Sequence, residues 1–453
     1  MLVAIGVSRM RGGPRFMNDE VAYPPLRERK GLTYDGRILS TKSAREKGES
    51  GKGGMAILGI LRSGHWPSLA GAWLHLTVSF MVWLLIGAMS ISLARDLQLS
   101  EQQVSWLVAL PLLAGAGLRM LAGWSADWVG ARSTALAILL GELAALLWGW
   151  LGVSGYHEAL VFALLLGMAG ASFAVSLPIA GRAYPPAAQG FVLGLTASAN
   201  VGTVLILFLA PRWVAVMDWH QVCAVMASIV VVTLALFMFL VPRRQSNVAS
   251  RRAEWWRNVA ELICRRPAYW LCFLYAVTFG GFVGFCSLLP LLLHDLYQLD
   301  AVMAGTLAAV CGLFGSLIRP VGGYVADRLG GLRTLYYALP VIVGSLVAVT
   351  SPSLPVAVAM MMFATAAMGF GNGAVFQLVA EWFPNDIGLA SGVVGAAGGL
   401  GGFLLPLVTV TMKGFTGNYD LGLWLFAGCG VCAWGTVIVA LRNRVVSVAG
   451  SSS

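Results

Sequence analysis

Two stretches of this 453-residue chain, two hundred residues apart, carry the same charged pattern in apolar surroundings. Leu118-Arg119 is followed by Gly123-Trp124-Ser125-Ala126-Asp127 and Gly130. Ile318-Arg319 is followed by Gly323-Tyr324-Val325-Ala326-Asp327 and Gly330. The arginines, the aspartates and the glycines at 115/315, 123/323 and 130/330 superimpose at one offset. Both arginines sit within apolar runs of helical length, where a charge at mid-membrane costs roughly 2.5–3.5 kcal/mol and is expected to face a protein interior or an aqueous path. A guanidinium is planar, permanently charged and able to offer two parallel N–H donors to two oxygens, which an ammonium cannot do. A duplicated intramembrane arginine therefore marks a two-halved transporter with a central anion site.

The elements that must position this pair are apolar helices. Hydrophobic residues make up 58% of the chain and charged ones 11%, against about 25% charged in a soluble domain. Windows of about 19 residues yield twelve spans. They lie near 70–94, 104–126, 134–153, 159–181, 189–211, 221–241, 268–292, 302–325, 334–350, 354–380, 388–412 and 421–441. The expected fold is an all-α membrane protein of two pseudo-symmetric six-helix halves, 69–241 and 268–441, joined by a linker at 242–267. A polar tail at 1–68, expected to be disordered, and a short one at 442–453 complete the chain.

Charge orients the spans. Residues 1–68 hold twelve Lys/Arg against six Asp/Glu, and 242–267 hold seven against two, whereas the opposite loops contribute Arg95, Arg212 and Lys413. The positive-inside rule puts both termini and the linker in the cytoplasm, with the chain multi-pass in the cytoplasmic (inner) membrane. The net charge of +10 is then mostly loop charge facing anionic lipid. Its dispersal among loops argues against a nucleic-acid partner. Val3–Val7 is too short for a secretory signal, and Met17 and Met55 are alternative in-frame starts.

Other chemistry is not encoded. The seven cysteines lie in or beside spans, and Cys429-Gly-Val-Cys432 sits mid-helix without the context of a redox motif. No metal-ligand spacing, catalytic triad or nucleotide loop is present. The glycines at 371/373 and 395–402 follow no strand. Neither cofactor nor metal is expected, and an enzyme is not indicated.

The duplication extends further. Gly170–Pro185 answers Gly369–Pro384, and Gly190-x-x-x-Gly194 answers Gly388-x-x-x-Gly392. Two such halves imply a pseudo-two-fold axis along the membrane normal and a site midway between them.

Gly123-Trp-Ser-Ala-Asp127-Trp-Val-Gly130-Ala-Arg132, echoed by Gly323-Tyr-Val-Ala-Asp327-Arg328-Leu-Gly330, resembles the cytoplasmic loop motif of the major facilitator superfamily. There it acts as a conformational latch, which implies that role for Gly123, Asp127, Gly130, Arg132, Asp327 and Arg328. A narrower resemblance is to the nitrate/nitrite porter family. It rests on Gly369-Phe-Gly-Asn-Gly-Ala-Val-Phe-Gln-Leu-Val-Ala-Glu-Trp-Phe-Pro384, continued by Gly392-Val-Val-Gly395-Ala-Ala-Gly398-Gly-Leu-Gly401-Gly-Phe403. A second signature, Ala197-Ser-Ala-Asn200-Val-Gly202, keeps the asparagine and shows alanine where the family usually has glycine. The resemblance covers about 70–441 and is nearest to the bacterial assimilatory nitrate transporters. It implies that Arg119 and Arg319 grip the anion, that Phe173, Tyr275, Phe279 and Phe80 wall the site, and that Asn200, Gly392 and Gly395 approach the ion.

Nitrate and nitrite are small, planar, weakly hydrated anions that suit such a slot. One Arg–anion contact at about 4 Å is worth on the order of 4 kcal/mol gross at an effective dielectric near 20, from which desolvation is subtracted. Closing an empty cavity would bury two like charges, and an anion removes one of them. That electrostatic argument favours exchange, whereas the assimilatory relatives imply import with protons. Glu142, mid-span, is the one deep acidic residue and the candidate proton carrier, with a purely structural role as the alternative. The expected function is secondary transport of nitrate and/or nitrite, with import preferred, by a monomer. A carrier of another small anion and a non-transporting sensor are the alternatives.

Overall fold

The computed structural model describes residues 59, 61–185, 189–243, 259–262, 264–383 and 387–450. Most of the N-terminal tail, most of the linker and the last three residues of the C-terminal tail lie outside the described residues, as does Pro384. Among the described residues, twelve long helical segments follow one another. The N-terminal half contains α1 (Trp66–Trp83, continued as Leu85–Ala88 and Ser90–Asp96), α2 (Glu101–Ser125), α3 (Ala131–Leu151) and α4 (Tyr156–Leu166, continued as Phe173–Gly181). It ends with α5 (Gln189–Ala197, continued as Val201–Val214) and α6 (Trp219–Leu240). The C-terminal half contains α7 (Arg266–Tyr275, continued as Gly281–Tyr297), α8 (Ala301–Leu329), α9 (Gly331–Ala348), α10 (Leu354–Trp382), α11 (Ile387–Thr416) and α12 (Asp420–Gly450).

Ten continuous helical runs among the described residues are long and apolar enough to cross a membrane. The difference from the twelve expected spans has two local causes. The run Glu101–Leu151 is continuous and contains both α2 and α3. Conversely, α1 is interrupted at Leu84 and Met89, and its longest piece carries His75 and three tryptophans.

Polar caps set the helix starts. Ser100 and Gln103 form a reciprocal capping box on α2, while the Asp218 and Asp300 carboxylates accept from the first-turn N–H groups of α6 and α8. The duplication recurs in the backbone. Gln98 and Gln298, which close α1 and α7, are both left-handed, with φ of 51° and 52°. Gly130 and Gly330 turn the chain from α2 into α3 and from α8 into α9 at φ of 95° and 88°. There a Cβ would be strained, which accounts for glycine in both copies of the motif.

Several helices depart from α-geometry. A 3₁₀ stretch covers Gly167–Ser172 in α4, a second covers Ser198–Asn200 in α5, and a π-turn covers Ala276–Gly280 in α7. In a membrane, backbone groups released from the helical ladder are tolerated only within protein or beside a cavity. All three interruptions adjoin or contain residues singled out from sequence: Phe173, Asn200, and Tyr275 with Phe279.

Glycines allow backbone approach. A Cβ at Gly369 would overlap the Gly315 carbonyl, one at Gly322 the Phe370 carbonyl, and one at Gly401 the Ala276 carbonyl. Two seams join the halves. α2 meets α11 at Lys413–Glu101 (2.7 Å) and Ser105–Pro406 (3.4 Å), and again where Gly399 packs on Ala116. α5 meets α8 where Arg212 donates to Thr306 (2.8 Å) and Gly305 packs on the Leu207 carbonyl and Pro211, and Asn200 donates to Ser316 (3.2 Å). These contacts run from the side away from the linker, the far end, to the level of Arg119 and Arg319. On the linker side the seams part: a Cβ at Gly123, Gly194 or Gly392 would meet nothing within 4 Å.

Candidate functional site

Arg119 on α2 is 1% exposed and Arg319 on α8 is 6% exposed. The 3₁₀ stretch of α4 turns the Gly170 carbonyl toward Arg119, and that oxygen accepts from both Nε (3.1 Å) and Nη2 (2.9 Å). Nη1 donates across the halves to the Gly395 carbonyl on α11 at 2.6 Å. Arg319 has a poorer set of partners. Nη2 reaches the Tyr275 hydroxyl at 3.3 Å, and Nη1 is buried without a partner.

Aromatic rings enclose both guanidiniums. The Arg119 Cζ lies 5.4 Å from the Phe173 ring and 5.5 Å from the Phe279 ring; the corresponding distances from Arg319 are 6.0 Å and 5.5 Å. The same two phenylalanines therefore face one arginine from each half. Tyr275 stacks on Phe279 with centroids 4.9 Å apart, one turn away on α7. Gly398 of α11 packs against both rings.

The other predicted residues are placed as follows. Asn200 is buried beside Ser316, one turn from Arg319, with its Oδ1 unpartnered. Gly395 contributes the carbonyl already described, and Gly392 faces open space one turn toward the linker end. The Phe80 ring packs edge-on against Trp83 at 5.3 Å, and Trp83 in turn lies 5.5 Å from Arg119. On α1, then, the aromatic next to the guanidinium is Trp83, held by its indole N–H bond to the Pro111 carbonyl (2.8 Å).

Sequence reasoning assigned no role to Trp83 or to Phe376. Phe376 on α10 lies 5.9 Å from Phe173 and 5.1 Å, edge-on, from Tyr275. It follows Gly369 by seven residues and Gly373 by three, and α8 rests on those two glycines, so helical periodicity would have put it on the same face.

Glu142 on α3 is fully buried, and neither carboxyl oxygen has a hydrogen-bond partner. The Ser79 hydroxyl on α1 stands close by without meeting it in bonding geometry. His75, one turn from Ser79, bonds Ser176 of α4 (2.8 Å) and the Ala135 carbonyl of α3 (3.3 Å). Glu142 thus belongs to a polar seam inside the N-terminal half, apart from the paired arginines.

The chain matches the family model described as Major Facilitator Superfamily over residues 72–406. It is 35% identical over 370 residues to a protein of Mycobacterium tuberculosis named "Probable nitrate/nitrite transporter NarK2", covering 79% of this chain and 91% of that one. It is 28% identical over 367 residues to the "Nitrite extrusion protein" of Bacillus subtilis, covering 81% and 92%. The chain belongs to the nitrate/nitrite porter family of the major facilitator superfamily. Its fold is similar to that of the xylose transporter XylE from E. coli, with a TM-score of 0.64 at 15% identity over 82% of this chain and 98% of that one.

In this porter the loop-motif residues gather at the linker end. Arg182, at the end of α4, lies 3.8 Å from the Asp127 carboxylate, both side chains being about half exposed. Arg132 donates to the Val241 (2.6 Å) and Met238 (3.2 Å) carbonyls, capping α6. The Gly130 carbonyl accepts from Thr134, and Arg328 lies 4.4 Å from the Tyr324 ring. Gly123, Gly130 and Asp327 occupy the same end, where α2 and α8 give way to α3 and α9.

Asp127→Asn should lower turnover while leaving nitrate affinity near that of the wild type, because the carboxylate lies two helical turns from Arg119. An exposed ion pair is worth up to about 1 kcal/mol, which sets the expected slowing at about two- to fivefold. Parallel measurement of transport rate and equilibrium binding checks this. A loss of affinity at unchanged turnover would remove Asp127 from the latch.

Proposed function

We propose that the chain carries nitrate and nitrite across the cytoplasmic membrane by alternating access, importing nitrate as a monomer, with the anion held between Arg119 and Arg319. The single observation that carries this reading is the pair of buried guanidiniums, one from each half, that share the Phe173 and Phe279 rings. Planar rings exclude water from a planar anion, and bidentate N–H donors match its oxygens. Relatives named as nitrate/nitrite transporters and as a nitrite extrusion protein support this substrate class.

Alternation needs two closures used in turn. The far-end closure is the Lys413 bridge, in which the ammonium bonds Glu101 of α2 (2.7 Å) and Asp295 of α7 (2.6 Å). Tyr419 braces Asp295 through its hydroxyl at 2.6 Å, and burial together with that carboxylate holds the phenol well above its ordinary range. Opening the far end parts Glu101 from Lys413. The linker-end closure brings together the parts of α5, α11, α2 and α8 that stand apart here. With the linker cytoplasmic, the arrangement faces the cytoplasm.

Two charges facing an emptied cavity resist closure, so anion-loaded reorientation is favoured over empty return, and exchange follows. Glu142 is read as a structural member of the polar seam rather than a proton carrier.

Arg119→Lys and Arg319→Lys should each nearly abolish labelled nitrate uptake into proteoliposomes while the protein remains folded and inserted. Charge survives in both, but the bidentate geometry does not. A charge-assisted hydrogen bond is worth about 1.5–3 kcal/mol, so the loss is expected to exceed about tenfold. Near-normal uptake by either variant would remove the clamp. Glu142→Gln should keep uptake and its response to an imposed pH gradient. Loss of proton-driven accumulation with counterflow intact would instead make Glu142 the proton carrier of a symporter.

A further inference from the structure

The seam between α2 and α11 has a constant antiparallel register. Glu101 meets Lys413, Ser105 meets Pro406, Leu112 meets Gly402, Ala116 meets Gly399, and Arg119 meets Gly395. One turn further toward the linker end the contact is gone, since a Cβ at Gly392 would meet nothing within 4 Å. The Arg119 Nη1–Gly395 carbonyl bond, at 2.6 Å, is thus the last rung of a closed seam.

The pseudo-symmetric seam between α5 and α8 ends differently. Gly305 packs on Pro211, Gly312 lies near Val204, and the closing contact is Asn200–Ser316. The offset that relates Gly388 and Gly392 to Gly190 and Gly194 makes Ala197 the counterpart of Gly395. Arg319 makes no rung there. Its hydrogen bond is to Tyr275, and Nη1 is buried and unpartnered. Two arginines equivalent by sequence are therefore in unequal states: each nitrogen of Arg119 donates to a carbonyl, whereas Nη1 of Arg319 has no acceptor.

We propose that they divide the work: Arg319 captures the entering anion, and Arg119 engages it only by exchanging the Gly395 carbonyl for it, which breaks the last rung and frees α11 to move. The proposal rests on nitrate or nitrite as the substrate. An anion meeting Arg319 satisfies a donor that has no competitor, whereas at Arg119 it must displace a short charge-assisted bond. Once released, α11 has a surface suited to sliding, because Gly398 packs on Tyr275 and Phe279, Gly399 on Ala116 and Gly401 on the Ala276 carbonyl. An empty carrier keeps its rung and reorients slowly, so the loaded form is the one that crosses.

The test is calorimetric titration of nitrate and nitrite into full-length detergent-purified protein, with counterflow measured on the same preparations. Arg319→Lys should weaken binding by about tenfold or more, and Arg119→Lys by less than about threefold, although both fail in counterflow. Gly395→Ala provides a second arm, because the added Cβ would press on the Arg119 Cδ at 3.2 Å and Nη1 at 3.4 Å and strain the rung. It should raise net uptake relative to exchange, and net uptake no higher than that of the wild type would count against the rung. Equal loss of binding in the two lysine variants, or a larger loss in Arg119→Lys, overturns the division of labour and leaves the substrate reading standing. Absence of binding heat from the wild type with either anion overturns both.

Discussion

The structure is organised around the burial of two permanent positive charges in apolar surroundings. Among the described residues no ion pair joins Arg119 or Arg319 to a carboxylate, and the field of each is met by carbonyl and hydroxyl dipoles and by ring faces. An isolated buried charge is costly, and the surrounding architecture answers that cost. The 3₁₀ stretch of α4 frees the Gly170 carbonyl, α11 brings the Gly395 carbonyl across the interface, and α7 places the Tyr275 hydroxyl and the Phe279 face. The interrupted α4, α5 and α7 join the uninterrupted α2, α8, α10 and α11 around the two arginines.

Glycine density follows from the same demand. For α8 and α10 to bring Arg319 and Phe376 to the same ring cluster, their backbones must touch, and Gly315, Gly322, Gly369 and Gly373 permit that approach. For α11 to deliver a carbonyl to Arg119 while remaining able to move, it needs a face without side chains, supplied by Gly398, Gly399 and Gly401. The ends of the helices carry polar contacts away from the two arginines. Lys413, Glu101 and Asp295 hold the far end, and Asp127, Arg182 and Arg132 organise the linker end. α2 and α11 run the whole distance between these ends and the level of the paired arginines.

Much of this was legible in the residues. The offset of two hundred residues announced two halves, the arginines announced an anion, and the paired glycines at 130 and 330 announced the matching turns seen in the backbone. Span placement was less secure where hydropathy and helix continuity part company. α1 carries His75 and three tryptophans, and α2 passes into α3 at Gly130 with no intervening loop. Side-chain roles fixed by helix phase were harder to read. Trp83 rather than its neighbour Phe80 touches the guanidinium, and Phe376 sits unremarked inside a motif conspicuous for its glycines. The inequality of the two arginines could not be read at all, because it resides in backbone carbonyls that every residue possesses. Only the local 3₁₀ geometry and the register of α11 decide which of them reach a donor.

The claim at the centre is that a nitrate or nitrite ion completes the field of these two arginines and that reorientation follows its binding. Counterflow in proteoliposomes tests it most directly, with labelled nitrate outside and unlabelled nitrite or nitrate inside. The account predicts labelled influx well above that into empty vesicles, supported by either internal anion and eliminated by lysine at either arginine. Labelled influx that ignores the internal anion, or persists undiminished in both lysine variants, would contradict it.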